Sequence, residues 1–567
     1  MTNKTENNEH PIDYKTPADP YIDSEIVIGL VSAIGTDLNG IISILETNLL
    51  RFDYQDPITI DIADNILIDY LSQEETKKLP DDILMKYRPH EEEEIKKDYY
   101  LSTHKFMNIG NDLRKKDPKI IAAAVINWIA NSRDTNTDGT YEPKKRKAYI
   151  IKSLKNKEEV KTLRDVYGNG FYMIGVYTDQ ERRKKRLIEK KFNSRYSTEE
   201  KEKCATQLMG RDEDENLGFG QQTRDTFQLA DFFVDFENDS DKTELNIERI
   251  VDLLFGQPFI TPTFGEYAMF QAFSTSLRSA DLSRQIGAVI CKNNEILATG
   301  ANDCPAPGGG LYWYKYDKEK GIYEDGNGRE YKKGHDSNKE QIKIISDEII
   351  NKAETSVKKA FEETDFQITL GLDPEIINEI IIKHFRNLLP NTQLNDLTEY
   401  GRIVHAEMEA LAMCARNNIS CRNATMYALT FPCHNCVKHL IAAGIKEVVY
   451  IEPYPKSKAF EFYGEDEITK NEKEAELSER MLFTPFFGVG PRKFVELFAM
   501  SSYGSFDEKK RKDKESETGK IVEWDRNENQ NLRSQMVPTS YLEREKVYGS
   551  WYMKKKEEYE SGNKEND

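Results

Sequence analysis

The chain has 567 residues and a formal net charge of −19, room for several domains at about 150 residues each. The acidic balance argues against a surface that wraps a nucleic-acid strand along its whole length, although a local cluster of lysines and arginines can still meet a phosphate. Seven cysteines scattered over a chain of this size make no disulfide framework and imply a reducing, cytoplasmic setting. The opening MTNKTENNEHPIDYK carries no secretory pattern, and no apolar run reaches membrane-spanning length, so no membrane partner is expected.

In chain order, residues 1–20 are polar and proline-containing and read as a flexible arm. Ile26 to Leu30 reads as a short apolar strand, followed by a turn with Gly35 and a helix with Ile41, Ile42, Ile44 and Leu45 on its apolar face. Nucleotide-binding α/β domains often begin this way. GLVSAIGTD (29–37) stands where a phosphate loop would, which makes Gly29, Gly35, Thr36 and Asp37 candidate nucleotide-binding residues. The match is degenerate: Gly29 is one residue early, and Thr36 and Asp37 stand where lysine and then serine or threonine belong. Without that lysine and hydroxyl, ligand binding is expected rather than phosphotransfer. Further strands are expected at AYIIKSL (148–154) and GFYMIGVY (170–177), around a helix at 156–168. A basic helix (180–192), an apolar segment (229–236) and a closing helix (247–256) complete a three-layer α/β domain over 21–256.

A second domain is expected over 260–504. It opens with a helix at 263–281 and a hairpin in QIGAVICKNNEILATGAND (285–303), turning at Lys-Asn-Asn. Residues 311–400 form a polar insertion. Then follow VHAEMEALAMCARNN as a helix, ATMYALTF as a strand, PCHNCVKHLIAAG as a helix and EVVYIEP as a strand. The tail at 505–567 is heavily charged, but Trp524, Tyr541, Tyr548, Trp551 and Tyr552 suggest that parts of it dock.

The chemistry concentrates in GRIVHAEMEAL (401–411) and TFPCHNCVKHL (430–440). His405, Cys433 and Cys436 can hold one tetrahedral Zn2+ with an open fourth position, where a bound water loses its proton near neutral pH. Cysteines three apart on a first helical turn face one side, and a helix start favours thiolate; Pro432 can begin a helix without losing a hydrogen bond. Glu407 is placed to move protons, whereas Glu409 points away on a 3.6-residue helix. His-x-Glu with Pro-Cys-x-x-Cys is the signature of zinc nucleobase deaminases. Two plainer readings stand beside it. Cys-x-x-Cys alone can be a redox pair or half of a closed structural zinc site, with His434 and His439 as nearby fourth ligands of poor geometry.

Residues 265–460 resemble the deoxycytidylate deaminase branch of the cytidine deaminase superfamily, through RQIGAVICKNNEILATGANDCP, HAEMEAL, TMYALTFPCHNC and IKEVVYIEPYPKSKA. The resemblance implies a five-stranded mixed sheet with helices on both faces and attack on C4 of cytosine. It also implies zinc ligation by His405, Cys433 and Cys436, proton transfer by Glu407, and a sugar contact by Asn302, whose bland alternative is a turn asparagine. Residues 21–256 resemble small P-loop nucleotide kinases in degenerate form, with QERRKKRL (180–187) where those carry an arginine-rich lid; an ordinary solvated helix face is the alternative.

Together the two parts, with PFFGVGPRKFVELF (485–498), resemble bacterial antiphage deoxycytidylate deaminases. That resemblance implies dCMP and dCTP as substrates, depletion of dCTP during infection, a homo-oligomer, and activity held back by an inhibitor, in some systems a small RNA. The competing readings are a housekeeping dCMP deaminase supplying dUMP, which leaves the N-terminal domain without a purpose, a more distant polynucleotide deaminase, and a regulator that senses a nucleotide or RNA.

Overall fold

The computed structural model describes residues 23–562, apart from 69, 71–97, 135–140, 193, 195, 216–218, 237–239, 364–373, 390, 391, 393, 395, 396, 398, 453–456, 465, 500–510, 512–517 and 527–531. The expected arm at 1–20 lies outside the described residues. The chain divides into two compact units: Met1–Glu266 with Glu452–Pro455 and Pro485–Asp567, and Tyr267–Ile451 with Lys456–Thr484. No helix among the described residues is long and apolar enough to cross a membrane.

With strands numbered in chain order, the first unit is built on β1 (Ile26–Ser32), β2 (Ile58–Asp61), β3 (Ala148–Lys152), β4 (Phe171–Tyr177) and β5 (Phe232–Asp235). They lie in the order β5-β4-β1-β3-β2, all parallel. Every residue of β1 and β4 is buried, as a parallel sheet covered on both faces requires. Ile26, Ile28 and Leu30 pack against Leu38, Ile41 and Leu45 of helix Leu38–Leu50 and against Ile250 and Leu254 of helix Ser240–Leu254. The alternation of helices with a parallel sheet, expected for a three-layer α/β domain, is present.

The ends of the chain divide differently from the expected boundary at 504. β14 (Gly488–Val489) pairs antiparallel with β5 at the sheet edge, and Val489, Leu497 and Leu532 join the first core. An edge strand with unpaired amides accepts such a partner readily. Helix Pro538–Gly562 packs on helix Ile120–Asn131, and Tyr541 and Tyr552 are buried there. The tie is ionic: fully buried Arg133 donates to Glu25 at 2.9 Å and to Glu545 at 3.0 Å, and the Tyr541 hydroxyl donates to Glu25 at 2.7 Å.

The second unit is a mixed sheet in the order β12-β13-β11-β10-β6-β7. Its strands are β6 (Gly287–Lys292), β7 (Glu295–Ala301), β10 (Thr425–Ala428), β11 (Glu447–Tyr450), the two-residue β12 (Ile468–Thr469) and β13 (Met481–Pro485). The expected hairpin is β6–β7, antiparallel, and its turn places Asn293 and Asn294 at φ 53° and 61°, the left-handed pair a two-residue hairpin demands. Ala288 pairs with Gly300, so these two share a face and Gly287 lies on the other. Both glycines are required by close approach. A Cβ at Gly300 would lie 2.0 Å from Ala406 O, and one at Gly287 would lie 1.9 Å from Ala272 O. Helices therefore press on both faces. The insertion folds as a hairpin of β8 (Lys315–Asp317) and β9 (Ile322–Glu324), then helices Glu330–Lys333, Ser337–Glu363 and Pro374–Leu388.

Replacing Arg133 by Met leaves two buried carboxylates facing each other without a cation. Removing one partner of such a buried ion cluster costs about 3–5 kcal/mol, so Arg133→Met is expected to lower the unfolding free energy of the first unit in urea by that amount and to release the C-terminal helix to protease.

Candidate metal centre and substrate pocket

His405 is the N-cap of helix Ala406–Arg416 and Cys433 the N-cap of helix His434–Ala442, both with extended backbone. Extended geometry at the cap turns each side chain away from its own helix axis, and the two helix starts meet. His405 Nδ1 lies 3.4 Å from Cys433 Sγ and 3.4 Å from Cys436 Sγ. Cys433 Sγ also accepts from the Cys436 N–H at 3.4 Å, the capping bond that holds the two sulfurs on one side. All three ligand atoms fall within 4.8 Å of one another, and no other group of this kind occurs among the described residues.

The donor set fits zinc: one imidazole and two thiols at tetrahedral spacing, with no fourth protein ligand among the described residues. His434 packs edge-on against Phe462 and, like His439, stands outside the group, so a closed structural site is not formed by the histidines nearby. A hydrogen bond from Cys436 pulls the Cys433 thiol down to about 4 and pushes Cys436 up, while the Cys433 contact raises His405 to about 9. Near neutral pH His405 and Cys436 thus hold protons that a cation displaces on binding, while Cys433 is already thiolate.

Glu407 is buried, with Oε2 3.6 Å from Cys436 Sγ. Burial pushes its carboxyl above the usual range, which suits a group that must both take and give a proton. Glu409 turns elsewhere and pairs with Arg416 at 2.6 Å.

These residues open into a cavity of about 300 Å³ lined by His405, Glu407, Cys433, Thr430, Phe431, Ile403, Gly401, Ala406, Ile286, Asn302, Asp281, Leu282, Ser283, Arg284 and three residues of the insertion, Glu330, Asp336 and Asn338. Asn302 Oδ1 accepts from the Ile286 N–H at 2.7 Å and its Nδ2 donates to Arg284 O at 2.8 Å. It therefore shapes the wall by tying down the 284–286 loop. Arg284, Ile286, Thr430 and Phe431 lie inside the recognised motifs, and residues 281–283 directly precede one of them. A share of the pocket was expected from the insertion, but Glu330, Asp336 and Asn338 are not singled out there by any motif.

The four candidate nucleotide-binding residues lie along β1, the turn after it and the start of the next helix. Gly29 sits inside β1, where a Cβ would lie 2.6 Å from Leu154 and 2.8 Å from Phe171; this is a packing role. Gly35 turns at φ +87° against the backbone of Arg183, Thr36 N–H bonds Ala33 O at 3.3 Å, and Asp37 caps helix Leu38–Leu50. The Ile34 N–H of this loop donates to Asp212 at 2.8 Å, and Asp212 pairs with Lys155 at 2.7 Å. An internal carboxylate thus occupies donors that a phosphate would want. The basic helix faces the same loop: Arg183 and Arg186 donate to the carbonyls of Ile34 and Gly35 at 3.3 and 2.9 Å.

Residues 262–452 match the family model described as the cytidine and deoxycytidylate deaminase zinc-binding region. The chain is 30% identical over 200 residues to a deoxycytidylate deaminase of Enterobacteria phage T4, spanning 35% of this chain and 81% of that one. It is 33% identical over 98 residues to a deoxycytidylate deaminase of Homo sapiens, spanning 17% of this chain and 45% of that one. A solved dCMP deaminase from cyanophage S-TIM5 aligns over 40% of this chain and all of its own, at 15% identity and a TM-score of 0.20, too low a score to bear on the fold.

The purified protein is expected to carry about one zinc per chain by elemental analysis, lost in His405→Ala and Cys433→Ser. Gly300→Ala is expected to lose zinc as well, because its methyl drives back the helix that begins at Ala406.

Proposed function

The chain belongs to the deoxycytidylate deaminase family, and from that premise we propose that it hydrolyses free deoxycytidine nucleotides, dCMP and dCTP, to dUMP or dUTP and ammonia. The observation that carries this reading is the grouping of His405, Cys433 and Cys436 at a cavity that His405, Cys433 and Glu407 line. His405 Nδ1 and the two sulfurs would hold the metal. When bound there, zinc supplies Lewis acidity that lets water attack near neutral pH.

Glu407 takes the proton of the attacking water and delivers a proton to N3 of the ring. It then takes the remaining proton from the hydroxyl now on C4 and delivers it to the amino group as the C4–N4 bond breaks, leaving the C4 carbonyl and ammonia. Phe431, with Tyr450 at 4.8 Å and Phe483 at 4.8 Å behind it, offers an apolar wall to the base. Asn302 keeps the 284–286 loop in place, where Arg284 is the cation that lines the pocket and can meet a phosphate.

The first unit is read as a degenerate P-loop kinase-like domain that binds a ligand, nucleotide or RNA, and gates the deaminase. Its parallel sheet with the turn after central β1 supports a nucleotide-binding ancestry, and the donors that Asp212 occupies at its loop count against phosphotransfer there. In this reading the protein is a cytoplasmic homo-oligomer that depletes dCTP during phage infection.

Mass spectrometry of dCMP, dCTP, CMP and CTP incubated with purified protein tests the reaction. Uracil product from the deoxynucleotides is expected, with Glu407→Gln retaining zinc and losing at least about a hundredfold in rate. Product formation unchanged in Glu407→Gln would remove Glu407 from its role; no product from zinc-loaded wild type would leave the regulator.

A further inference from the structure

Two residues of the insertion that line the pocket, Glu330 and Asn338, each carry a buried acceptor oxygen that the protein itself does not satisfy. Glu330 is 5% exposed. Its Oε2 accepts from the Ser337 N–H at 3.1 Å, while Oε1 is buried without a hydrogen-bond donor. Asn338 donates through Nδ2 to Leu397 O at 2.7 Å, which sets the orientation of the amide and leaves Oδ1 buried without a donor. Both residues line the same cavity as His405 and Glu407. Buried polar oxygens are rarely left in this state, and an orphan on a pocket wall marks where a ligand's donor belongs.

The wall that carries them is built rigidly. The Glu330 backbone bonds the Cys304 thiol, just past Asn302. The neighbouring Arg329 pairs with Asp303 at 3.3 Å and donates to Tyr312 O at 2.6 Å, and Arg402 donates to Gly328 O at 2.8 Å. Two acceptors held this way are preorganised rather than adaptable.

The identity of the donor follows from the deaminase reading above, on which this inference rests. A deoxycytidine nucleotide offers donors at two places, the exocyclic amine and the sugar 3′-hydroxyl; its phosphate, ring N3 and O2 accept. The amine sits on the carbon under attack, which must face Glu407 and the ligand trio. The hydroxyl remains. We propose that Glu330 Oε1 and Asn338 Oδ1 share a hydrogen bond from the 3′-hydroxyl of the bound nucleotide, so that the insertion is the sugar-reading wall of the site.

The test compares dCMP with 2′,3′-dideoxycytidine monophosphate, which lacks that hydroxyl, by isothermal titration into zinc-loaded Glu407→Gln protein. With Glu330 and Asn338 intact, dCMP is expected to bind about tenfold tighter or more. Adding Asn338→Ala or Glu330→Ala should collapse the ratio towards unity. The ratio is insensitive to loss of folded protein, which alters the number of sites and not the preference between ligands. Equal binding of the two nucleotides by the intact pocket, or a preference that survives both substitutions, overturns the sugar contact and leaves the deaminase reading standing. Binding of neither nucleotide by the zinc-loaded protein overturns the deaminase reading and this proposal with it.

Discussion

The site depends on how closely one helix can approach one strand. Helix Ala406–Arg416 rests on β7 at Gly300, where any side chain would meet the Ala406 carbonyl. That contact sets the height of His405 and Glu407 above the sheet. The second helix start is set independently, by the parallel pairing of β10 with β11 around helix His434–Ala442. Two backbone placements, each determined by packing, bring an imidazole and two sulfurs to 3.4 Å. Protein interiors give little on such distances, so the ligand geometry is inherited from the sheet.

Charge is organised locally against the chain's overall sign. The net charge of −19 would repel a nucleotide at long range, with screening over about 8–10 Å at physiological salt. Inside the pocket the balance is set by Arg284, the metal ligands and the carboxylates Asp281, Glu330, Asp336 and Glu407. A substrate there is held by short directed contacts in a small cavity, where Coulomb terms act with far less screening. Such a site needs its polar groups positioned in advance, and the insertion and the Asn302-tied loop supply that positioning.

The first unit shows the same economy applied to an ion cluster. Glu25 at the foot of β1, Arg133 after helix Ile120–Asn131 and Glu545 of the C-terminal helix lie far apart in sequence and share one buried site. Burying a guanidinium is tolerable only when carboxylates and hydroxyls complete its hydrogen bonds, and here Tyr541 and Tyr149 add theirs to Glu25. This is why the charged tail belongs with the N-terminal sheet. Neither composition nor periodicity distinguishes a tail that docks through buried charge from one that is solvated.

The sequence alone determined the chemistry. His-x-Glu and Pro-Cys-x-x-Cys sit at helix starts that their own local rules produce, and the Asn-Asn hairpin and apolar strands are likewise local. Those features need only nearest neighbours and periodicity, so they are legible in order along the chain. What surrounds that chemistry was decided by tertiary structure. Glu330 and Asn338 reach the pocket only because an insertion without a motif folds back over it. The phosphate-loop candidates Gly29, Gly35, Thr36 and Asp37 run from strand through turn to helix cap as expected, but Asp212, distant in sequence, takes the Ile34 N–H of that loop. Contacts of that kind arise from chain segments whose meeting no local pattern encodes, because they depend on which faces are left to be covered once the sheets have formed.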